Sequence, residues 1–339
     1  MAGVPAICFA TSKETTSQIP PMTAIADKIN AAEGPLFSFE ILPPLKGNSI
    51  YRVYSIIDRL REFEPSYINI TSHHSEAVYE PQPDGTHRRI TVRRRPGTVA
   101  IAAAIQNKYG IPAVPHIICK GFTKDETEYA LLDLNFLGIT NLLLLRGDSK
   151  SEETRHQDPE KYNLFATDLQ RQVNDFNAGV GIDGSRIEGI DTPFCYGMAC
   201  YPEKHEEAPN LEFDLEYARM KVANGAKYLV TQMFFDNEKY FAYVDRCRAA
   251  DIDVPIIPGI KPLTKARQLT VLPRVFHIDI PEAFSRELMK CRSDAEAAEL
   301  GTEWCTQQCR ELIRHGVPGI HFYTHYAADS VCRVAKNIY

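Results

Sequence analysis

The sequence predicts an α/β protein built as one closed parallel (β/α)8 barrel, a TIM barrel, and three observations carry that expectation. Eight apolar, β-branched-rich runs recur along the chain: Leu36–Ile41, Tyr67–Thr71, Ala113–Cys119, Asn141–Leu145, Phe194–Cys200, Tyr228–Phe234, Val254–Ile260 and Gly319–Tyr323. Most are near-continuous, the pattern of parallel strands covered on both faces. Amphipathic stretches separate them, among them Ser49–Phe63, Lys124–Leu137, Leu211–Gly225 and Glu238–Ala250. Eight strands alternating with helices argue for a barrel, and 339 residues suit one such unit. A doubly wound open sheet is the alternative, with fewer strands expected.

The ends and interruptions of this rhythm follow in order. Residues 1–21 hold an apolar stretch, Val4–Ala10, with no basic residue before it, so a secretory signal is not indicated. The segment then turns Thr/Ser-rich and ends in Pro20-Pro21, reading as a disordered or misannotated extension. The catalytic domain is expected over 22–339. Residues 79–95 read as a β-hairpin inserted after the second strand, with Pro83-Asp84-Gly85 as its turn. Residues 149–191 read as a long loop after the fourth strand, with one helix near Ala166–Phe176.

Composition limits the function classes. A net charge of −6 gives no global attraction to nucleic acid or membrane surfaces. No apolar run approaches the roughly 20 residues of a membrane span. The nine cysteines are scattered without a CxxC pair, which points to reduced thiols and a cytoplasmic protein. Cys305 and Cys309 lie one helical turn apart with no ligand partner at metal spacing, so they read as packed helix residues. A homo-oligomer is compatible with all of this.

Barrels of this kind carry function at the C-terminal ends of their strands. Seven of the eight runs place hydrogen-bonding side chains there, which makes one shared mouth the expected site. The first ends in Glu40, the second in Thr71, and the third carries His116. The fourth runs into Arg146-Gly147-Asp148 and the fifth into Tyr201-Pro202-Glu203-Lys204-His205. The sixth carries Thr231-Gln232, and the eighth His321, Tyr323 and His325. Each alone has a bland reading: a capping carboxylate, a core histidine, an Arg146–Asp148 ion pair. Their convergence is what argues for chemistry. Other motifs fail. Gly179–Gly184 fits GxGxxG but follows a helix and opens none. The basic run Arg88–Arg95 lacks interleaved aromatics and reads as a solvated hairpin face.

Phe37–Pro44, Leu145–Asp148, Tyr201–His205, Thr231–Asp236, Ile257–Ile260 and His321–Thr324, in this order, resemble the signatures of the methylenetetrahydrofolate reductase family over residues 22–339. The resemblance implies a (β/α)8 barrel with non-covalent FAD, NADH as co-substrate and a folate substrate, acting in methionine synthesis. It implies that Glu40 is the general acid that protonates N5 of the folate so that the ring opens to an iminium. Asp148 resembles the carboxylate beside flavin and folate, and Gln232 the amide at the flavin face. FAD-binding positions are matched by Thr71, His116, Arg146, Gly147, Asp148, Ala166, Tyr201, His205, Ala208, Asp214 and Lys221. Substrate-contacting positions are matched by Glu40, Asp148, Gln232, Gln268 and Tyr323. The chain departs from the pattern at Ser72, Met220 and Ala327, the last standing where a basic residue often holds the folate glutamate tail. The sequence ends at the last barrel helix, so S-adenosylmethionine feedback through a further domain is not expected. Two other readings stay open: a proline-dehydrogenase-like flavin barrel, and a folate- or flavin-binding protein without turnover.

Overall fold

The computed structural model describes residues 23–147, 157–190, 192–324 and 327–339. In chain order the elements are α1 (Ile25–Ala31), β1 (Leu36–Ile41), α2 (Tyr51–Leu60), β2 (Tyr67–Ile70), β3 (Glu76–Pro81), β4 (His87–Val92), α3 (Thr98–Tyr109), β5 (Ala113–Ile118), α4 (Lys124–Phe136), β6 (Asn141–Leu145) and α5 (Ala166–Asn177). They continue with β7 (Cys195–Cys200), α6 (Leu211–Ala223), β8 (Tyr228–Thr231), α7 (Asn237–Ala249), β9 (Ile256–Ile257), β10 (Gly259–Ile260), α8 (Gln268–Phe276), α9 (Glu282–Lys290), α10 (Asp294–Arg314), β11 (Gly319–Phe322) and α11 (Ala328–Ile338). Residues 1–22 lie outside the described residues, as do Asp148, His325 and part of the 149–191 loop.

The parallel sheet runs β10-β11-β1-β2-β5-β6-β7-β8-β9. Its two ends are halves of one strand. β9 pairs with β8 and β10 with β11, and Pro258 stands between them. Proline has no N–H for a ladder bond, so the expected strand Val254–Ile260 splits at this residue. Counting β9 and β10 as one, the barrel has the eight positions expected.

Side chains alternate across each strand. The outward set packs against the helices in the large core that includes Phe39, Ile68, Ile117, Leu144, Met198 and Leu229. The inward set, including Tyr67, Val114, Leu143, Tyr228, Val230 and Ile257, packs with Ile25 and Ile29 of α1. The α1 helix therefore plugs the N-terminal end of the barrel, and its first amide, Ile25 N, donates to Asn141 Oδ1 at 2.8 Å. Burying two isoleucines there contributes roughly 1.5–3 kcal/mol each. That leaves the opposite, C-terminal end as the open one.

Several strands stop before their expected ends, yet the backbone pairing continues. Thr71 N still donates to Ile41 O (3.0 Å), Gln232 N to Cys200 O (2.8 Å) and Tyr323 N to Ile260 O (2.9 Å). The inserted hairpin is β3–β4, an antiparallel pair that begins at Glu76, three residues before the expected start. The expected helix near Ala166–Phe176 is α5. The sequence reading assigned no helix between Ile260 and Gly319, whereas three occupy it, around a separate core of Leu263, Leu272, Phe284 and Leu288.

Candidate active site

At the C-terminal end lies a cavity of about 1720 Å³. It brings together Glu40, Thr71, His116, Arg146, Gly147, Tyr201, His205, Gln232 and Tyr323 from seven different strand ends. This volume exceeds the roughly 300–1,000 Å³ of a single drug-sized site.

On the β11–β1 side the polar groups are deep. Glu40 is 5% exposed, and its Oε2 stands 3.8 Å from His116 Nε2. Below it, Ser38 Oγ and His321 Nδ1 are 2.9 Å apart, and the His321 ring stacks on Tyr67 at 6.2 Å. Burial drives the His321 imidazole down to about 4, against the opposing pull of Glu40 and with a smaller push from His116. Tyr323 donates its hydroxyl to Thr231 O at 2.6 Å, and burial, then Glu40, hold that hydroxyl well above the usual phenol range. Gly259 makes room for this ring: a Cβ there would lie 2.5 Å from Tyr323 Cε2 and 2.4 Å from Thr231 O.

The β6–β7 side is more open and cationic. Arg146 pairs with Glu207, and its guanidinium stands 5.2 Å from the Phe165 ring centre. Lys120, Lys161 and Lys204 also line the cavity. Lys204 Nζ is tied to Ala208 O at 2.7 Å and His205 O at 3.0 Å. His205 meets Tyr201 edge to face at 4.6 Å, and its amide donates to Asp214 Oδ2 at 3.0 Å. Burial, then the Lys221 charge, lowers the His205 ring to about 4. Gly147, two residues past β6, has a φ of +88°, and a Cβ there would lie 3.4 Å from Ile118 at the end of β5.

Five expected site residues do not line the cavity. Lys221 is buried behind Tyr201, donating to Ala199 O at 2.8 Å, with Asp214 as its charge partner. Ala166 opens α5, and Ala208 contributes its carbonyl to Lys204. Gln268 accepts from Thr264 N (2.7 Å) and Lys265 N (2.9 Å), closing the turn into α8. Asp148 falls outside the described residues.

The sequence reading missed three contributors. The basic run is exposed as expected at Arg88, Arg89, Arg93 and Arg94, but Arg89, Arg94 and Arg95 also border the cavity, together with Ala77, Tyr79 and Thr91 of the same hairpin. The i, i+2 spacing of Ala77/Tyr79 and of Arg89/Thr91 was the available signal. His277 enters from the end of α8 and pairs with Glu206 at 2.5 Å. Lys261, one residue past β10, is buried beside this site and donates to Tyr323 O at 3.1 Å.

The family model described as methylenetetrahydrofolate reductase matches residues 25–339. The 5,10-methylenetetrahydrofolate reductase of Salmonella typhimurium is 31% identical over 293 residues, covering 86% of each chain. Methylenetetrahydrofolate reductase 1 of Schizosaccharomyces pombe is 28% identical over 304 residues; the match takes in 89% of this chain but 45% of that protein. In the solved structures, a Clostridium thermocellum protein that binds two copies of 5-methyl-5,6,7,8-tetrahydrofolic acid shares the fold. Its TM-score is 0.55 at 16% identity, over 92% of this chain and 98% of that one.

Proposed function

The chain belongs to the methylenetetrahydrofolate reductase family, and we propose that it reduces 5,10-methylenetetrahydrofolate to 5-methyltetrahydrofolate, with NADH as electron donor and non-covalent FAD as cofactor. The observation that carries this reading is a buried carboxyl group, Glu40, at the inner edge of a large cavity whose other side is cationic.

The residues present fit a flavin dinucleotide. Arg146 and Lys120 stand where a pyrophosphate can be charge-paired. The positive-φ turn at Gly147 carries the backbone along the cavity wall. When bound, FAD supplies the hydride relay that lets nicotinamide and folate use one face in turn. Tyr201 and His205 pack together on the cationic side as one wall of its pocket.

Glu40 has the task that the protein itself must perform. Its proton goes to the departing N10 of the folate and not to N5 as first expected, because N5 must keep its lone pair to form the iminium: the N10–methylene bond breaks, and N5 carries the positive charge. The methylene carbon is then a strong hydride acceptor, and hydride uptake yields the methyl group. Poor solvation at the cavity floor penalises the ionised form of a carboxyl group, which favours proton donation there. Gln232, with its carbonyl fixed by Met233 N at 2.9 Å, lines the same cavity and is the amide assigned here to the substrate. The methyl product is the form that methionine synthesis consumes. The eight cysteines among the described residues are free.

The test is anaerobic and has two halves. Purified protein should be yellow, and acid precipitation should release the chromophore to the supernatant. NADH should bleach it, and methylenetetrahydrofolate should restore the colour. Bleaching without restoration would move the chain to another flavin-barrel activity, and colour without bleaching to a binding role. Parallel traces with NADPH decide the donor.

A further inference from the structure

Lys261 is 7% exposed and lies among the groups that surround Glu40. Strand register brings them together. Ile260 pairs with Phe322, and Phe322 pairs with Phe39. The next residues on these three adjoining strands are Lys261, Tyr323 and Glu40, so they share one level of the barrel mouth. The ammonium donates to Tyr323 O at 3.1 Å. An ammonium at this depth is costly unless an opposite charge offsets its lost hydration. Among the described residues, Glu40 is the group whose charge opposes the effect of burial on Lys261.

The other groups facing Glu40 are His116 from β5, His321 from β11 and Tyr323 just past it. Burial keeps His321 neutral above about pH 4 and keeps the Tyr323 hydroxyl protonated. Neither supplies a cation near neutrality, and His116, 3.8 Å from Glu40, is the other facing group that carries a positive charge when protonated. Lys261 supplies a cation near neutrality: burial lowers it only to about 8, with Glu40 pulling it back up.

We propose that Lys261 is a positioning residue for Glu40, its buried ammonium serving as the counter-charge of the Glu40 carboxylate and setting the pH range over which that carboxyl group carries the proton for folate. The inference rests on Glu40 being the general acid. The sign follows from charge alone. A cation beside Glu40 favours its ionised form, so it narrows the range in which the proton is available. Removing the cation should therefore extend folate reduction to higher pH. An opposite charge within about 4–6 Å typically moves a carboxyl pKa by roughly 1–3 units.

The experiment uses FAD-loaded enzyme, reduced anaerobically and mixed with methylenetetrahydrofolate across a pH series. Lys261→Met and Lys261→Gln remove the charge with different polarity, and Lys261→Arg keeps it. FAD content and melting temperature are read for each, so that a folding defect in one neutral variant leaves the other to decide. The expected result is an alkaline limb moved upward by about one unit or more in the neutral variants and held near the parent's position by Arg. An unmoved limb in both neutral variants overturns the proposal, and so does an Arg variant that shifts as far as they do. Failure of the underlying reading looks different: the parent would not reoxidise with the folate, or Glu40→Gln would keep the parent's rate and limb.

Discussion

The two sides of the cavity are both rich in ionisable groups, yet they handle charge in opposite ways. On the β11–β1 side, Ser38, Glu40, Tyr67, His321 and Lys261 are all buried, and burial is the leading cause of the shifts at His321, Lys261 and Tyr67. On the β6–β7 side, Arg146 is about a quarter exposed and Lys161 is exposed, although Lys120 and His205 are drawn inward there as well. Desolvation makes proton affinity adjustable, because a neighbouring charge acts with little screening. Solvated cations do the reverse: they hold their charge and attract anions over several ångströms. One side is thus suited to moving a proton and the other to holding phosphates.

The largest expected effect tests the proton side. Glu40→Gln keeps the size and hydrogen-bonding capacity but removes the transferable proton. Folate-dependent reoxidation should fall by about 10²–10⁴-fold, the range for loss of a general acid. Flavin reduction by NADH involves no folate protonation, so it should lose far less. Stopped-flow traces of the two half-reactions separate these outcomes. Equal losses in both would mean that Glu40 supports the cavity instead of serving the folate.

The next effect concerns what burial costs the fold. His321 stays neutral in the folded protein down to about pH 4, against an ordinary value near 6.5. Below 6.5 the unfolded chain binds a proton that the folded one refuses. Stability therefore falls as pH drops from 6.5 to 4, by an amount on the order of 3 kcal/mol for this group. His205 titrates in the same direction but is less buried, so its share is smaller. Urea midpoints for His321→Asn should depend less on pH across this window than the parent's. An equal slope would assign the acid sensitivity elsewhere.

On the phosphate side the change should be smaller and confined to affinity. Arg146→Gln removes a cation whose charge-assisted bonds contribute roughly 1.5–3 kcal/mol, or about 10–100-fold in FAD dissociation. Flavin fluorescence titration measures it. With FAD in excess, the folate half-reaction should return to nearly the parent rate, which sets this side apart from Glu40.

The proton side was the more legible one in the sequence. Glu40 and Thr71 end apolar runs and His116 lies within one, and a barrel sends strand-end residues to one mouth, so continuous hydrophobicity largely locates them. Lys221, Asp214 and Gln268 sit on helices, where no strand-end rule applies, and only family resemblance singled them out. Their contacts are with Ala199, His205 and the turn at Thr264. Lys261 follows a strand too, but the strand is split by Pro258, and its neighbour Glu40 is more than 200 residues away in sequence. Register across three strands is needed to see that pair. The helices α8 to α10 were obscured by Pro273 inside α8, although Ser293 capping Glu296 N marks the start of α10.

The smallest expected effect tests the boundary between cavity and solvent at the hairpin. Arg88 and Arg89 are neighbours on β4, so their side chains take opposite faces. Arg89 faces the cavity with Tyr79, its cross-strand partner, while Arg88 pairs with Glu80 where both side chains are more than half exposed. An exposed pair of this kind contributes about 0–1 kcal/mol to stability, and it projects little field into the cavity. Arg88→Ala should therefore leave the Michaelis constants near the parent's. Arg89→Ala removes a cation from the wall that an anionic substrate passes. Long-range attraction of this sort is modest and screened over about 8 Å at physiological ionic strength. A rise of roughly two- to fivefold in the Michaelis constant for the folate or the nicotinamide is expected, with kcat little changed. That rise should shrink as salt is added, because salt weakens attraction in the parent while the variant has less to lose. If both substitutions act equally, or if the Arg89→Ala effect ignores salt, the hairpin is a strut and the cationic side of the cavity ends at Arg146 and Lys120.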